Sequence, residues 1–425
     1  MLPSAESIQI ILPVISIFFL FLTFKKSVYG AISYFIILNS KLGDMYPALG
    51  ALRFELIAAV IVLVSIVVQR EGLKNILPGK NVLNKPLWIL FVVGMVSVVQ
   101  AVDVTFSWDM GGYGLLKLVL FYVMVVASIN DRSDLVKMVW AFVLITSWTA
   151  YEPVVNYLSG AGEKQGYGEI AIGRFGAASG HVALANTLNQ GIPLMFFWAL
   201  SCNKWEKLFS WLLLALVVVG VVFTKSRGGF IGLIAIGAGL VFFSKNRIKS
   251  CIVVVCLFIF MIPFAGQDYL AHMSTITQGH AASRSASDRY LGLVNGVSMM
   301  IKRPILGVGI GCYPRARSIY FNYFFYSHNL YGELLGELGL ASFFWFYWIY
   351  SIGKRASWIK KRLLDKDRLF VYVLNGVQLG LFVRLVIGNF SHCAFIWFWF
   401  FMAALVVSCE NLCSPSHEDA ILTQR

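Results

Sequence analysis

Residues 221–234 read VVFTKSRGGFIGLI, an apolar run interrupted by two basic side chains, Lys225 and Arg227. A charged turn between two apolar segments is typical of membrane-spanning helices that meet at a membrane surface. The rest of the chain agrees, because 58% of its 425 residues are hydrophobic, only 13% are charged and the mean hydropathy is +0.74. The sequence therefore predicts an integral membrane protein.

Apolar segments of about 20 residues, the length that crosses roughly 30 Å of hydrocarbon, recur along the chain. They predict an all-α, polytopic transmembrane bundle that forms one domain over residues 1–425. We expect about twelve spans, near residues 7–24, 48–69, 86–102, 113–128, 135–158, 181–201, 208–224, 228–244, 250–265, 329–352, 369–388 and 391–409. The apolar piece at 28–38 is too short to cross without help, so a thirteenth span or a re-entrant segment is an alternative there.

The orientation follows from the loops, because Lys and Arg accumulate on the cytoplasmic side of membrane proteins. The loop at 353–368 carries seven basic and two acidic side chains, so we predict that it is cytoplasmic. Counting spans outward from it makes residues 266–328 a large periplasmic loop, which we expect to contain short helices. The same count puts the turn with Lys225 and Arg227 on the periplasmic side.

Basic side chains on the periplasmic side go against this trend and suggest an anionic ligand there. The large loop adds six of them, against two acidic residues in the same loop: Arg284, Arg289, Lys302, Arg303, Arg315 and Arg317. The alternative is that Lys225 and Arg227 only reach lipid headgroups. Cytoplasmic anchoring and anionic membrane lipids account for the net charge of +14, so lipids are expected partners and nucleic acid is not.

No pattern of metal or nucleotide binding is present in the sequence. The seven cysteines include no CxxC pair, and we interpret them as buried small hydrophobic residues. A GxxxxGK[ST] loop is absent, and the glycines at 307, 309 and 311 are interpreted as a tight turn, with a phosphate-binding nest as the alternative. We therefore predict no metal and no cofactor.

A second stretch, YSHNLYGELLGELGL at 326–340, carries a candidate base where the large loop re-enters the membrane. Ser327 is predicted to cap the next helix, which would place His328 in its first turn. The helix dipole there disfavours the imidazolium, so His328 would accept a proton. The alternative is a histidine whose hydrogen bonds are satisfied at the membrane interface and that has no catalytic role.

The same stretch places two carboxylates, Glu333 and Glu337, on one helix face. Gly332 and Gly336 would let a neighbouring helix approach closely. We expect Glu333 to have a basic partner, and Arg384 is the obvious one.

Four pieces of sequence, taken in order, resemble the O-antigen ligase and O-antigen polymerase superfamily of bacterial inner-membrane proteins. They are GRFG at 173–176, TKSRGG at 224–229, DRY at 288–290 followed by RPILGVG at 303–309, and SHN at 327–329 followed by ELGL at 337–340. Together they span roughly residues 170–340, and the joint pattern is specific.

The resemblance implies transfer of a glycan from undecaprenyl diphosphate to an acceptor hydroxyl at the periplasmic face of the inner membrane. Arginine suits the charge of a diphosphate leaving group, and histidine suits general-base work. We therefore predict Arg227 and Arg289 as diphosphate ligands and His328 as the base or acceptor-positioning group, all three catalytic. Four further arginines are second-rank candidates for binding the diphosphate: Arg174, Arg284, Arg303 and Arg384.

The acceptor would be lipid A core in a ligase and another lipid-linked repeat unit in a polymerase. We favour the ligase, because the end of the large loop is rich in arginine and aromatic residues that suit phosphorylated sugars; an interfacial aromatic belt is the alternative. A secondary transporter or a flippase would place polar groups at the membrane midplane. The candidate residues cluster at one face instead.

Overall fold

The computed structural model describes residues 11–69, 81–165, 168–173, 179–252, 254–256, 284–363 and 367–413. The described chain is predominantly helical, as predicted, apart from one short antiparallel hairpin of β1 (Glu163–Gln165) and β2 (Gly168–Ile170). The first ten helices are α1 (Ile11–Leu22), α2 (Ser27–Ser40), α3 (Leu42–Met45), α4 (Pro47–Ala51), α5 (Phe54–Gln69), α6 (Asn84–Val99), α7 (Val104–Ser107), α8 (Tyr113–Ser128), α9 (Arg132–Leu158) and α10 (His181–Ser201).

The second half of the described chain is also helical. Its helices are α11 (Lys204–Phe223), α12 (Arg227–Phe243), α13 (Arg284–Lys302), α14 (Tyr313–Phe321), α15 (Leu330–Leu338), α16 (Ser342–Leu363), α17 (Arg368–Ile387) and α18 (Trp397–Leu412). A π-helical turn, Trp108–Gly112, joins α7 to α8. Two 3₁₀ turns, Gly339–Ala341 and Gly388–Phe390, follow α15 and α17. The described part of the large loop contains α13, of 19 residues, and α14, of 9 residues, so only α14 there is a short helix of the kind expected.

Four helical segments of the described chain are long and apolar enough to cross a membrane: Val104–Ser128, Arg132–Leu158, Lys204–Phe223 and Arg368–Phe390. Shorter apolar helices accompany them: Ile11–Leu22, Ser27–Ser40, Phe54–Gln69, Asn84–Val99, Arg227–Phe243 and Trp397–Leu412. An all-α membrane bundle is therefore confirmed. The count of twelve spans stays a prediction, and most of the span expected at 250–265 lies outside the described residues.

Several local features differ from the sequence prediction. The span expected at 329–352 is two helices, because Gly339 adopts φ 58° and ends α15. The span expected at 391–409 begins only at Trp397, so residues 391–396 form a non-helical loop. The segment between the spans expected at 135–158 and 181–201 contains the hairpin of β1 and β2, which was not predicted.

The short apolar piece at 28–38 lies inside α2, which is buried in the bundle. The Phe35 ring lies 5.5 Å from Phe121, 6.4 Å from Phe142 and 5.1 Å from Phe401. Contacts with other helices rather than with lipid therefore cover this helix. At 1.5 Å per residue its 14 residues are about 21 Å long.

Ion pairs define one end of the bundle, which we call the basic end. Lys26, just before α2, lies 2.7 Å from both Asp131 and Asp134 at the start of α9. The basic loop expected at 353–368 is shorter than predicted, because residues 353–363 are the end of α16. Arg132 lies 2.7 Å from Asp367, the N-cap of α17. The helices α2, α9 and α17 therefore run away from this end, and the site described next lies where they finish.

Candidate functional site

The TKSRGG turn joins α11 to α12 and is shaped by short-range hydrogen bonds. Thr224 ends α11, Lys225 adopts φ 50°, and the Ser226 hydroxyl caps α12 by accepting from the Gly229 N–H at 3.2 Å. Arg227 is therefore the first residue of α12. A side chain at Gly228 would meet the Phe390 ring at 3.0 Å, so the glycine lets this ring lie against the helix start.

The loop helix α13 packs backbone to backbone on α15 and the residues before it. A Cβ atom at Gly292 would lie 1.9 Å from the Ser327 carbonyl oxygen, and one at Gly296 would lie 2.1 Å from that of Gly332. Gly332 therefore permits the close helix approach that the sequence predicted. Because Arg289 precedes Gly292 by one helical turn, this contact brings Arg289 beside His328.

The start of α12, which carries Arg227, and the side chain of Arg289 both lie against the Phe390 ring. The pKa of Arg289 is lowered to about 10, mainly by burial and then by the positive charge of Arg227, while Asp288 opposes the shift. The Arg289 guanidinium also lies 5.4 Å from the centre of the Phe390 ring. Two guanidinium groups held together in this way repel each other. A bound anion would relieve this repulsion, so the pair forms a candidate anion site.

His328 lies before α15 rather than in its first turn. Asn329, and not Ser327, is the N-cap: its Oδ1 accepts from the N–H groups of Tyr331 and Gly332, each at 3.0 Å. The Ser327 hydroxyl instead donates to the Asn329 carbonyl at 2.7 Å. His328 itself adopts φ 46°, an uncommon conformation for a side chain of this size.

Burial is the largest cause of a lowered pKa at His328, and the positive charge of Arg289 adds to it. Asp288 acts in the opposite direction, and Arg317 contributes a further lowering. The imidazole is therefore neutral at physiological pH and able to accept a proton. This outcome matches the expected protonation state, although loss of water and arginine charge are its causes.

A second histidine, His392, belongs to the same group and was not identified from the sequence. Its ring lies 5.1 Å from that of His328 and stacks on Tyr326 at 4.7 Å. Phe390 and His392 both come from the segment after α17, so this segment forms one wall of the site. The signal in the sequence was the polar stretch GNFSH, residues 388–392, between two apolar runs.

The two carboxylates on α15 hold this architecture together. The Glu333 Oε2 atom accepts from the N–H groups of Cys393 at 2.6 Å and Ala394 at 3.1 Å, which fixes the loop that carries His392. Glu337 Oε1 accepts from the Tyr313 N–H at the start of α14. A direct ion pair between Glu333 and Arg384 is not among those of the described residues, although Arg384 is near enough for its charge to act on Glu333.

The glycines at 307, 309 and 311 form a structural turn. Their φ angles are 65°, 103° and 72°, a region that favours glycine. The Val308 N–H donates to the Gly336 carbonyl at 2.9 Å, and the Gly309 N–H donates to the Glu337 carbonyl at 3.1 Å. These amides are therefore occupied by the protein, which agrees with the tight turn and not with a phosphate nest.

The second-rank arginines are in different places. Arg303 donates to the Gln100 carbonyl at 2.7 Å and so supports the loop that follows α6. Arg384 is 5% exposed and donates to the Asn186 carbonyl at 3.5 Å. Arg174 lies outside the described residues, and for Arg284 the structure describes only the backbone, at the start of α13.

Arg384 belongs to a buried polar cluster between α10 and α17, on the side of the Arg227 turn. Asn189 donates to the Gly229 carbonyl at 2.9 Å, which ties the cluster to the turn. Several of its buried polar atoms have no hydrogen-bond partner in the described structure: both side-chain atoms of Asn186, Oδ1 of Asn189, Oε1 of Gln190 and Nε of Arg384. Buried polar atoms normally have partners, so a polar ligand or water would satisfy them.

The large loop uses one of its arginines as an internal support. Arg317 is 1% exposed, lies 4.8 Å from the Tyr323 ring and donates to the Tyr326 carbonyl at 3.4 Å. Arg315 is exposed but is paired with Asp103 at 3.0 Å. Neither side chain is placed as a free phosphate ligand for an acceptor, which weakens the sequence argument that this part of the loop selects the acceptor.

Fold and site together define a helical membrane protein with two arginines and two histidines gathered at one end of its bundle. Residues 212–347 match the family model of the O-antigen ligase, and this match supports the resemblance to the O-antigen ligase and polymerase superfamily. The matched range includes Arg227, Arg289 and His328 but not Phe390 or His392. A search of curated proteins finds no match to the chain.

Proposed function

We propose that this protein transfers a glycan from undecaprenyl diphosphate to a hydroxyl of lipid A core at the periplasmic face of the bacterial inner membrane. The observation that carries the proposal is that Arg227, at the start of α12, and Arg289 meet at the Phe390 ring, and that both lie within the range that matches the O-antigen ligase family. A diphosphate leaving group carries the charge that such a pair stabilises.

The reaction needs one bond to form and one to break. The acceptor oxygen attacks the anomeric carbon of the donor sugar, and the bond from that carbon to the diphosphate oxygen breaks. His328 takes the proton of the attacking hydroxyl, and Arg227 and Arg289 stabilise the negative charge that develops on the diphosphate. Breaking the sugar-diphosphate bond supplies the driving force, so no nucleotide is consumed.

A polymerase of the same superfamily is the second function that this site suits, because it breaks the same bond and differs only in its acceptor. We expect deletion of the gene to abolish capping of the lipid A core while polymerised glycan still accumulates on its lipid carrier. Electrophoresis of the lipopolysaccharide and analysis of the lipid-linked pool measure both quantities. A core that still carries a single repeat unit would show that the enzyme is a polymerase instead.

Transfer is also expected to continue in the presence of a chelator. We propose that the arginine pair supplies the positive charge that magnesium supplies in many phosphoryl-transfer sites. Purified protein assayed with lipid-linked donor and lipid A core should keep its rate in excess EDTA. Loss of turnover in EDTA, with recovery on addition of a divalent ion, would contradict a metal-independent reaction.

A further inference from the structure

A cavity of about 720 Å³ lies where α2 ends, at the same end of the bundle as the candidate site, and outside the range that matches the family model. The residues before its Trp108 contact the large loop: Ser107 donates to the Ile310 carbonyl at 2.7 Å, and the Phe106 ring lies 6.2 Å from that of Phe324. We call it the α2–α8 cavity, because the end of α2, the start of α5 and the start of α8 line it. The charge of Lys41 on its wall also reaches the site: burial is the largest cause of a lowered pKa at His392, and the charges of His328, Arg384 and Lys41 add to it.

Two exposed cations line this cavity from strained backbone positions. Lys41 and Arg53 adopt φ 48° and φ 49°, which is unusual for residues other than glycine. Such backbone strain clusters at ligand sites, where it aims a side chain. A third cation, Lys117, is already paired with Glu55 at 3.0 Å, so Lys41 and Arg53 are the basic groups best placed for a ligand.

The lining of the cavity also includes aromatic rings and a carboxylate. Trp108 is 44% exposed and Tyr113 is 41% exposed, and both line the cavity together with Asp109. They lie in and directly after the π-helical turn, a feature that is frequent at functional sites. The Lys117 ammonium lies over the Tyr113 ring at 4.8 Å, so Trp108 is the ring offered to a ligand. An exposed ring face covers the apolar face of a sugar, and a carboxylate accepts hydrogen bonds from its hydroxyl groups.

We infer that the α2–α8 cavity binds a phosphorylated sugar headgroup, with Lys41 and Arg53 on the phosphate and Trp108 on the sugar ring. The assignment of this headgroup to the acceptor rests on the proposed function, in which the acceptor hydroxyl must reach His328. The arginine pair is assigned to the donor diphosphate, so a second phosphate-binding region beside the histidines fits the other substrate.

Binding can be tested without turnover. The purified full chain in phosphatidylcholine nanodiscs is mixed with glucose 6-phosphate, glucose or inorganic phosphate, and saturation-transfer NMR or ³¹P line broadening is recorded. We expect glucose 6-phosphate to bind more tightly than either of the other probes. Trp108→Ala and Arg53→Ala should each weaken that binding about tenfold, the scale of one charge-assisted or well-packed contact.

Two variants serve as matched controls. Trp205→Ala removes a 78% exposed ring at the start of α11, the end of this helix that is far from the TKSRGG turn. Arg132→Ala removes an exposed arginine at the basic end. Both should bind glucose 6-phosphate like the unmodified chain. The inference is overturned if Trp108→Ala and Arg53→Ala also bind it normally, or if inorganic phosphate binds as well as the sugar phosphate does.

A kinetic measurement then assigns the site to the acceptor. With lipid A core as acceptor, Trp108→Ala is expected to raise the acceptor KM about tenfold and to leave the donor KM unchanged. A rise in the donor KM alone would overturn the acceptor assignment. Normal binding of the sugar phosphate without transfer to any acceptor would refute the proposed function and leave the sugar-phosphate site supported.

Discussion

Replacing Arg289 with alanine is expected to lower the rate of glycan transfer by at least a hundredfold. A contact made mainly to the charge that develops in the transition state is worth about 3 kcal/mol, or roughly two orders of magnitude in rate. Arg289 is placed for such a contact because it lies near Arg227 and over Phe390. The measurement is kcat with purified protein, saturating lipid-linked donor and lipid A core.

Two further variants separate the role of the guanidinium from a loss of folding. Arg289→Lys keeps the charge but removes the two-pronged hydrogen bonding, so it should recover only part of the lost rate. Arg132→Ala removes an arginine of an exposed ion pair at the basic end, where the loss is worth less than about 1 kcal/mol. An Arg289→Ala enzyme that stays folded and works within about threefold of the unmodified rate would refute the diphosphate assignment.

The sequence predicted the helical membrane fold because long apolar runs leave few alternatives. The spans expected at 135–158, 181–201 and 369–388 correspond closely to α9, α10 and α17. Hydropathy could not show that residues 391–396 leave the helical conformation, since this stretch contains Ala394, Phe395 and Ile396 and continues into an apolar run. Its backbone is held by Glu333, a contact from a distant helix.

The sequence predicted only part of the site, again because contacts from distant parts of the chain complete it. Arg227 and His328 are marked by short motifs, whereas Phe390 and His392 come close to them only through packing. The wrong N-cap illustrates the same point at short range. Ser327 and Asn329 are both good caps, and the left-handed backbone of His328 between them decides in favour of Asn329.

Burial also changed the meaning of individual charges. In the sequence Arg317 looks like a phosphate ligand and Arg384 looks like an ion-pair partner. In the fold Arg317 is enclosed by the aromatic residues of its own loop, and Arg384 lies in a cluster of partly unsatisfied amides. The number of basic residues along a loop therefore predicted that an anion site is present better than it predicted which residues form this site.

The second large effect is expected at His328. We predict that His328→Asn lowers kcat by at least a hundredfold, because a general base contributes about 10²- to 10⁴-fold. Asparagine is the appropriate replacement, since it tolerates the left-handed backbone at φ 46° better than alanine does. His328→Gly also suits this backbone, and added imidazole should restore part of its rate if the histidine acts as a base and not only as a packing group.

The pH dependence gives an independent test of the same role. The base form of His328 must be present for transfer, and its pKa is lowered by burial and then by Arg289. The rate should therefore be level at neutral pH and fall only as the pH drops below the ordinary range of histidine. Removing the positive charge in Arg289→Gln should raise the pKa of His328 and move this fall to higher pH in the residual activity. An unmoved acid limb in Arg289→Gln, together with no imidazole rescue of His328→Gly, would mean that another group accepts the proton.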